Sequence, residues 1–489
     1  MESKSQQSSR VDEGKIQKIL SNYNRTTDSI FSEFHNTDRK VVNGMPIHAT
    51  CTLTQENRRT DPIEYSPVVK APMTLSAEGN ILTYMIGGRK CHYLNSMSMK
   101  TKTPSIRVKP EYEKTIKIRQ TSHFLFNQLK EMQFKIPIQS KPTHNNNTLI
   151  AWYNFYNKDK TQEMDYMIGA EEPVWGTEIK PRTFKTVLPF FIYPPYSKPI
   201  SLLKFGGHEC LVRMEAEYVK SYYELISMIE FDEEKKVWTY VKPDQMKQYL
   251  EPFDDVVKPW GIYCSYLHLS KEAFDRLESG CENEMEMVLY SLKTLSQDNT
   301  ANAGEHISLH IPEQYPYYGL MWFVENIHLK SYGSHSVFTQ RSLNTETYDR
   351  ITNFYMKKNL TRSVRNVSLI HEKGEYFKNV DEDYFDSIAP INCHAYLPKD
   401  EGIYIYQVGS SLLTQNLESP LNELFKNIQL KVELNPFVQE DHKIVEPSAT
   451  SNGSHENKYK LRCVVLTRTI VKFIWDDAKG CYTVDSDEF

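Results

Sequence analysis

The sequence predicts an all-β protein built as two β-sandwiches in tandem, a layout often realised as jelly rolls. Three observations predict it. Short apolar or alternating runs recur roughly every ten residues between Pro, Gly, Asn and Ser clusters, the cadence of antiparallel strands. Tyr (31) and Phe (22) outnumber Gly (19), and aromatic with β-branched residues suit a pleated, half-buried surface. The cadence breaks once, over residues 219–256, and then resumes, so the 489 residues divide into two units of similar size.

Taken in order, residues 1–38 are polar and charged, with one amphipathic piece at Ile16–Tyr23, and read as an arm that is mobile or orders against a neighbour. The first unit, 39–218, carries the strand-like runs HATCTLTQ, NILTYMIGG, TIKIRQ, QFKIPI and TLIAWYNFYN. It ends in Thr183–Tyr218, where Cys210, Val212, Met214 and Ala216 fall on one side of a strand and Leu211, Arg213 and Glu215 on the other. Residues 219–256 mix apolar and charged residues without alternation and read as a partly helical connector.

The second unit, 257–480, opens with WGIYCSYLHL as a strand, then a short helix capped by Ser270 and stopped at Gly280. MEMVLYSLKTL, HISLHIP and KLRCVVLTRTIVKFIW follow as strands, and YYGLMWFVENIHL is dense enough to cross a core. In NIQLKVELNP, Ile428, Leu430, Val432 and Leu434 alternate with Gln429, Lys431 and Glu433, the mark of a half-buried strand. Between Val364 and Val408 lies a strand, a turn-rich aromatic connection and a returning strand launched by Pro398 and Gly402. Residues 440–458 read as a polar loop and 481–489 as an acidic tail.

The composition excludes several classes. The net charge of −5 does not suit a protein that coats nucleic acid. The polar start holds no apolar segment of a secretory signal, and the run Val187–Tyr193 is too short to span a bilayer. Eight scattered cysteines without a CxxC pair fit reduced, buried thiols better than a disulfide framework. The sequons at Asn24, Asn146, Asn359, Asn366 and Asn452 are accordingly read as unused.

Reactive constellations are hard to find. No phosphate-cradling glycine loop, HExxH or paired CxxC is present. Cys91-His92 and Cys393-His394 are adjacent pairs, and neighbours on a strand point to opposite faces, so neither supplies two ligands. The acidic run Asp381-Glu382-Asp383 is either a solvated loop or a divalent-cation site, and the solvated loop is the simpler reading. His208, after Gly206-Gly207, has no nucleophile or carboxylate placed beside it. Trp322 and Phe323 could form a stacking platform, but their apolar setting points to core packing. Tyr315, Tyr317 and Tyr318 would have to lie exposed on a loop for a glycan-binding sandwich. No catalytic, cofactor-binding or metal-binding residue is therefore assigned, no cofactor is expected, and the chain is not expected to be an enzyme.

The order of these pieces resembles the double jelly-roll major capsid proteins of nucleocytoplasmic large DNA viruses. The resemblance covers most of the chain from Asn80 onward. VLPFFIYPPYSKPISLLKFGGHECLVRME, with His208-Glu209, is similar to the closing strands of the family's first jelly roll. WGIYCSYLHLSKEAFDRL resembles the opening strand and short helix of its second. ISLHIPEQYPYYGLMWFV resembles its strand, Pro turn and Leu-x-Trp-Val strand. The nearest match is VSLIHEKGEYF, DYF, IAP, CHAYLP and GIYIYQV in succession. Leu417–Asn422 stands where the family carries Pro-Ser-Gly and Asn-x-Ser, and KGCYTVDSDEF replaces its Gly-rich end, so the chain resembles a divergent member.

The resemblance implies two tandem eight-stranded jelly rolls and a structural capsid protein without chemistry. It implies pseudo-hexameric homotrimers that tile an icosahedral shell in the virion, assembled in the host cytoplasm. The implied partners are other copies, neighbouring capsomers, minor capsid and penton proteins and an inner viral membrane layer, with no specific nucleic acid. A minor capsid or membrane-shaping scaffold protein of the same fold is one alternative. A glycan-binding β-sandwich is another.

Overall fold

The computed structural model describes residues 40–42, 45–47, 58–59, 63–65, 80–87, 93–135, 143–157, 162–170, 174–188, 200–201, 211–234, 237–257, 261–268, 284–295, 299–313, 317–336, 338, 362–393, 395–407, 426–436, 444–445, 458–476 and 481–487. The N-terminal arm, the Ser270 helix, Cys91-His92, His208-Glu209, Tyr315, His394 and Leu417–Asn422 lie outside them.

The first jelly roll is built from β1 (Ile63–Tyr65), β2 (Asn80–Gly87), β3 (Tyr93–Lys102), β4 (Leu129–Lys135), β5 (Thr143–His144), β6 (Thr183–Leu188), β7 (Leu211–Tyr218) and β8 (Gly261–His268). One sheet runs 1-8-3-6 and the facing sheet 2-7-4-5. The second is built from β9 (Glu284–Leu295), β10 (His306–His310), β11 (Tyr317–Asn326), β12 (Val364–His371), β13 (Gly374–Asp381), β14 (Ile403–Gln407), β15 (Gln429–Leu434) and β16 (Lys458–Asp476). Its sheets run 9-16-11-14 and 10-15-12-13, so the same order appears twice. Neighbours within these four sheets pair antiparallel. That repeated order is the signature of a jelly roll, two interlocked Greek keys folded into facing sheets.

Local pattern explains most strands. In β15 burial alternates along the strand, and Leu430, Val432 and Leu434 face the core as their spacing predicts. All ten residues of β11 are buried, because both its faces are covered. Leu320, Trp322 and Val324 pack inside the second roll, while Tyr318, Met321 and Phe323 pack toward the first.

Four expectations are corrected. TLIAWYNFYN is not a strand: Asn146–Phe155 forms the helix α1. Asn145 caps it, its side chain accepting from the Thr148 N–H while the Thr148 hydroxyl accepts from the Asn145 N–H. Apolar residues surround the helix on nearly every side, as a fully buried helix requires. WGIYCSYLHL does not open the second roll; β8 pairs with β3 and closes the first, and β9 opens the second. Residues 219–256 do not bridge two domains but form an excursion between β7 and β8. There Ile226–Asp232 pairs with Val237–Val241 and with Ile116–Gln120, and Ile444–Val445 of the second half joins the edge. The acidic tail is a strand over Cys481–Asp487, paired with the end of β16.

The connection within Val364–Val408 is also more built than a loop. β12 and β13 form a hairpin, followed by a π-helical turn, Tyr384–Ile388, and a short helix, Ala389–Asn392, before β14. Gly402 introduces β14 with φ +81°, and a Cβ there would lie 2.4 Å from the Phe338 carbonyl oxygen, so only glycine fits.

Candidate functional site

Among the described residues, those with chemical potential that the sequence singles out do not converge on a reactive centre. Among the described residues no three His, Cys, Asp or Glu side chains are placed to share a metal ion, and no helix is long and apolar enough to cross a membrane. Trp322 is fully buried, edge-on to Phe385 at 5.0 Å and stacked on Tyr404 at 6.0 Å, so it is a core residue and not a platform. Tyr317 and Tyr318 are 0% and 6% exposed, which withdraws both from any glycan surface. Cys393 is a buried thiol with its pKa pushed up by burial. Of the sequon asparagines, Asn146 donates to Asn127 Oδ1 at 3.3 Å and Asn366 to Glu433 Oε2 at 3.1 Å.

The acidic run keeps Asp381 and Asp383 exposed, as expected of a solvated segment, but Glu382 is only 12% exposed and the run is not left open for a cation. It closes on Arg362, a guanidinium only 1% exposed. Arg362 donates to Glu382 at 3.0 Å, to Asp386 at 2.8 Å and to Asp383. Burial alone would lower its pKa, but Asp386, Glu382 and Asp383 hold it above the ordinary arginine value. Glu382 is pushed up to about 7, first by burial and then by a hydrogen bond with Asp381. The hydrogen bond and charge of Arg362 act the other way and only partly offset these two causes. The cluster pins the π-helical turn to the start of β12, which makes it a structural clamp. Nothing in the sequence marks Arg362, since its partners lie 20 to 24 residues away.

The most built feature is the seam between the two rolls. Helix α1 belongs to the connection from β5 to β6 of the first roll, yet it packs on the outer face of the second roll's 9-16-11-14 sheet. Leu149, Ile150 and Phe155 share one apolar cluster with Phe323, Ile405 and Leu466. Each such side chain stabilises by roughly 1.5–3 kcal/mol when fully buried, so the seam resembles a domain core more than a hinge.

Polar contacts fix its register. Asn154 donates to Asp400 at 2.7 Å and accepts from the Lys399 and Asp400 N–H groups at 3.0 Å. Asp400 also meets His123 Nε2 at 2.9 Å. Lys399 pairs with Asp165, which accepts from the Tyr153 hydroxyl. On the other flank Arg119 donates to Ser334 at 3.2 Å, and the His335 N–H donates to the Thr121 hydroxyl at 3.0 Å. His335 Nε2 lies 2.8 Å from the Glu224 carbonyl oxygen and therefore carries the proton. Burial, with the Lys330 charge second, lowers its pKa to about 4, so it is neutral. None of these seam residues is singled out by the sequence. The one local signal is the Asn145-x-x-Thr148 cap ahead of α1, overridden by a run of aromatic and β-branched residues that reads as strand.

No family model matches the sequence, and no curated protein matches it. Solved structures do match. The chain is similar to VP54 of PBCV-1, fitted into a reconstruction of the virophage Sputnik, with a TM-score of 0.53 and 11% identity over 85% of this chain and 95% of that one. It is similar to a chain of the PBCV-1 virus capsid with a TM-score of 0.55 and 11% identity, covering 87% and 97%. The Faustovirus major capsid protein matches with a TM-score of 0.53 and 9% identity, covering 93% and 98%. The protein therefore has a double jelly-roll fold, the fold of these large-DNA-virus capsid proteins.

Proposed function

We propose that the chain is a structural capsid protein of a large double-stranded DNA virus. One observation carries the reading: two jelly rolls of identical strand order are locked side by side by α1 into one block, and nearly the whole chain follows the capsid proteins above. Such a block suits tiling. In this reading three chains form a homotrimer whose six rolls give a pseudo-hexagonal outline. The trimers tile an icosahedral shell over an inner membrane layer in the virion, and they meet neighbouring capsomers and minor capsid and penton proteins. Assembly takes place in the host cytoplasm, and the role needs no cofactor or catalysis. The rolls themselves divide at 58–268 and 284–487, with 1–38 as an assembly arm.

Light scattering on the purified chain at micromolar concentration tests this. The expected mass is three chains, each interface burying more than ~2,000 Å², as obligate assemblies do. A monomer at every salt and pH value refutes it. Deleting residues 1–38 is expected to spare the trimer and impair shells. Copy number per particle separates a principal shell protein from a minor or scaffold one.

A further inference from the structure

One group of titratable residues at the seam is left unused by the capsid reading. Two connections meet there, and each is fixed by its own hydrogen bonds. Asp165 lies on the helix Gln162–Ile168 of the β5–β6 connection, and its side chain is 7% exposed. Lys399 lies in the β13–β14 connection, where its N–H and that of Asp400 donate to Asn154 Oδ1 of α1. The Asp400 carboxylate is held in turn by Asn154 Nδ2 at 2.7 Å and by His123 Nε2 at 2.9 Å.

Lys399 Nζ meets Asp165 Oδ2, while the Tyr153 hydroxyl donates to Asp165 Oδ1. The two oxygens of one buried carboxyl group are thus taken by an amine and by a hydrogen-bond donor. Burial lowers the pKa of Lys399, against the opposing charge of Asp400, so the amine gives up its proton more readily. Burial first, and Asp400 second, raise that of Tyr153, which keeps the phenol a donor. Asp400 therefore acts by its charge on both groups, a second carboxylate beside the pair. Around them Tyr153, Phe155, Met164 and Ile168 belong to one apolar cluster, which shields Asp165 from water.

We propose that Lys399 and Asp165 condense into an amide, an isopeptide bond that staples the second roll to the first. The ammonium and the carboxylate lose one water between them, so atoms and charge balance without an oxidant, a cofactor or a co-reactant. One proton passes from Nζ to Oδ2 across their contact, leaving an amine and a carboxylic acid. Nζ then attacks Cγ, and the Tyr153 hydroxyl holds the charge that develops on Oδ1. Asp400 takes a second proton from Nζ and returns it to the Oδ2 hydroxyl, which leaves as water when the Cγ–Oδ2 bond breaks. Reacting groups held in place reach effective molarities of about 10⁵–10⁸ M, which offsets the unfavourable condensation in water. The Lys399 side chain, 40% exposed, gives the released water a way out, while the buried carbonyl resists hydrolysis. The bond needs only the chain's own fold and does not rest on the capsid reading.

The intact mass of the denatured full chain tests the bond. The parent is expected to be lighter than its sequence by one water, and tandem mass spectrometry to find a branched peptide joining Lys399 to Asp165. Lys399→Arg keeps the positive charge but cannot condense, and is expected at its full mass with an unchanged circular dichroism spectrum. A parent at its full sequence mass leaves an ion pair only and overturns the proposal, whether or not the variant folds. A water loss that persists in Lys399→Arg, or that hydroxylamine reverses, marks a succinimide elsewhere and overturns it too.

A time course of the mass change after cell-free synthesis tests the proton relay. Asp400→Asn keeps an acceptor for Asn154 and His123 but loses the carboxylate that takes the proton. With an unchanged circular dichroism spectrum, it is expected to reach the linked form at least about a hundredfold more slowly than the parent. Equal rates in the two proteins overturn the role of Asp400.

Discussion

Replacing Arg362 by alanine tests whether the clamp is held by charge. The side chain is 1% exposed and faces three carboxylates, of which Asp386 is 6% and Glu382 12% exposed. Removing one partner of a buried ion pair costs about 3–5 kcal/mol, chiefly because the other charges stay behind without compensation. The expected loss is of that size at pH 7.5, read as a shift of the urea midpoint by tryptophan fluorescence and circular dichroism. Trp322, in contact with Phe385 of the clamped turn, serves as a nearby reporter. In the variant the stranded carboxyls take up protons readily, so the loss should shrink to less than about half at pH 4.5. Arg362→Met combined with Glu382→Gln, Asp383→Asn and Asp386→Asn, which removes the charges together, should recover most of it. A loss under about 1 kcal/mol, or an equal loss at both pH values, would show that Arg362 acts by packing and not as a counter-charge.

Three further outcomes follow from the same geometry. Glu382 has a folded pKa of about 7 against an ordinary 4.5, so its protonated form adds stability below pH 4.5 that is lost as pH rises through 7. At pH 8, Glu382→Gln should therefore be more stable than the parent, by up to about 3 kcal/mol in the urea midpoint comparison. His335 runs the other way. Its folded pKa of about 4 lies below 6.5, the unfolded chain binds more protons between those values, and stability rises with pH across that window. His335→Gln should flatten the rise by up to about 3 kcal/mol between pH 4.5 and 7.5, and equal pH dependence in both proteins would refute a buried neutral histidine. Gly333 has φ +76°, and a Cβ there would lie 2.0 Å from the Ile226 carbonyl oxygen across the seam. Gly333→Ala should cost at least about 3 kcal/mol in thermal unfolding, whereas Gly176→Ala, with nothing nearer than 3.8 Å, should change stability by less than about 0.5 kcal/mol.

The sequence by itself determined the strands and much of the class. Side chains alternate with period two, so the pattern of β15 and the apolar run of β11 declare their own burial without reference to any partner. Burial of that kind was legible because the alternation that signals it is local. Which strand joins which sheet was not. β8 reads equally well as the end of one roll or the start of another, and only its pairing with β3 decides, across residues such as Lys100 and Tyr263 that lie 163 apart in the chain. Helix α1 was hidden because aromatic and β-branched residues serve a buried helix as well as a strand, and tertiary packing overrides that weak propensity. The Arg362 clamp and the His335 seam were invisible for a further reason. A lone Arg or His reads as surface until the fold brings three carboxylates or a carbonyl oxygen to it, and those encounters are made by the closure of the rolls.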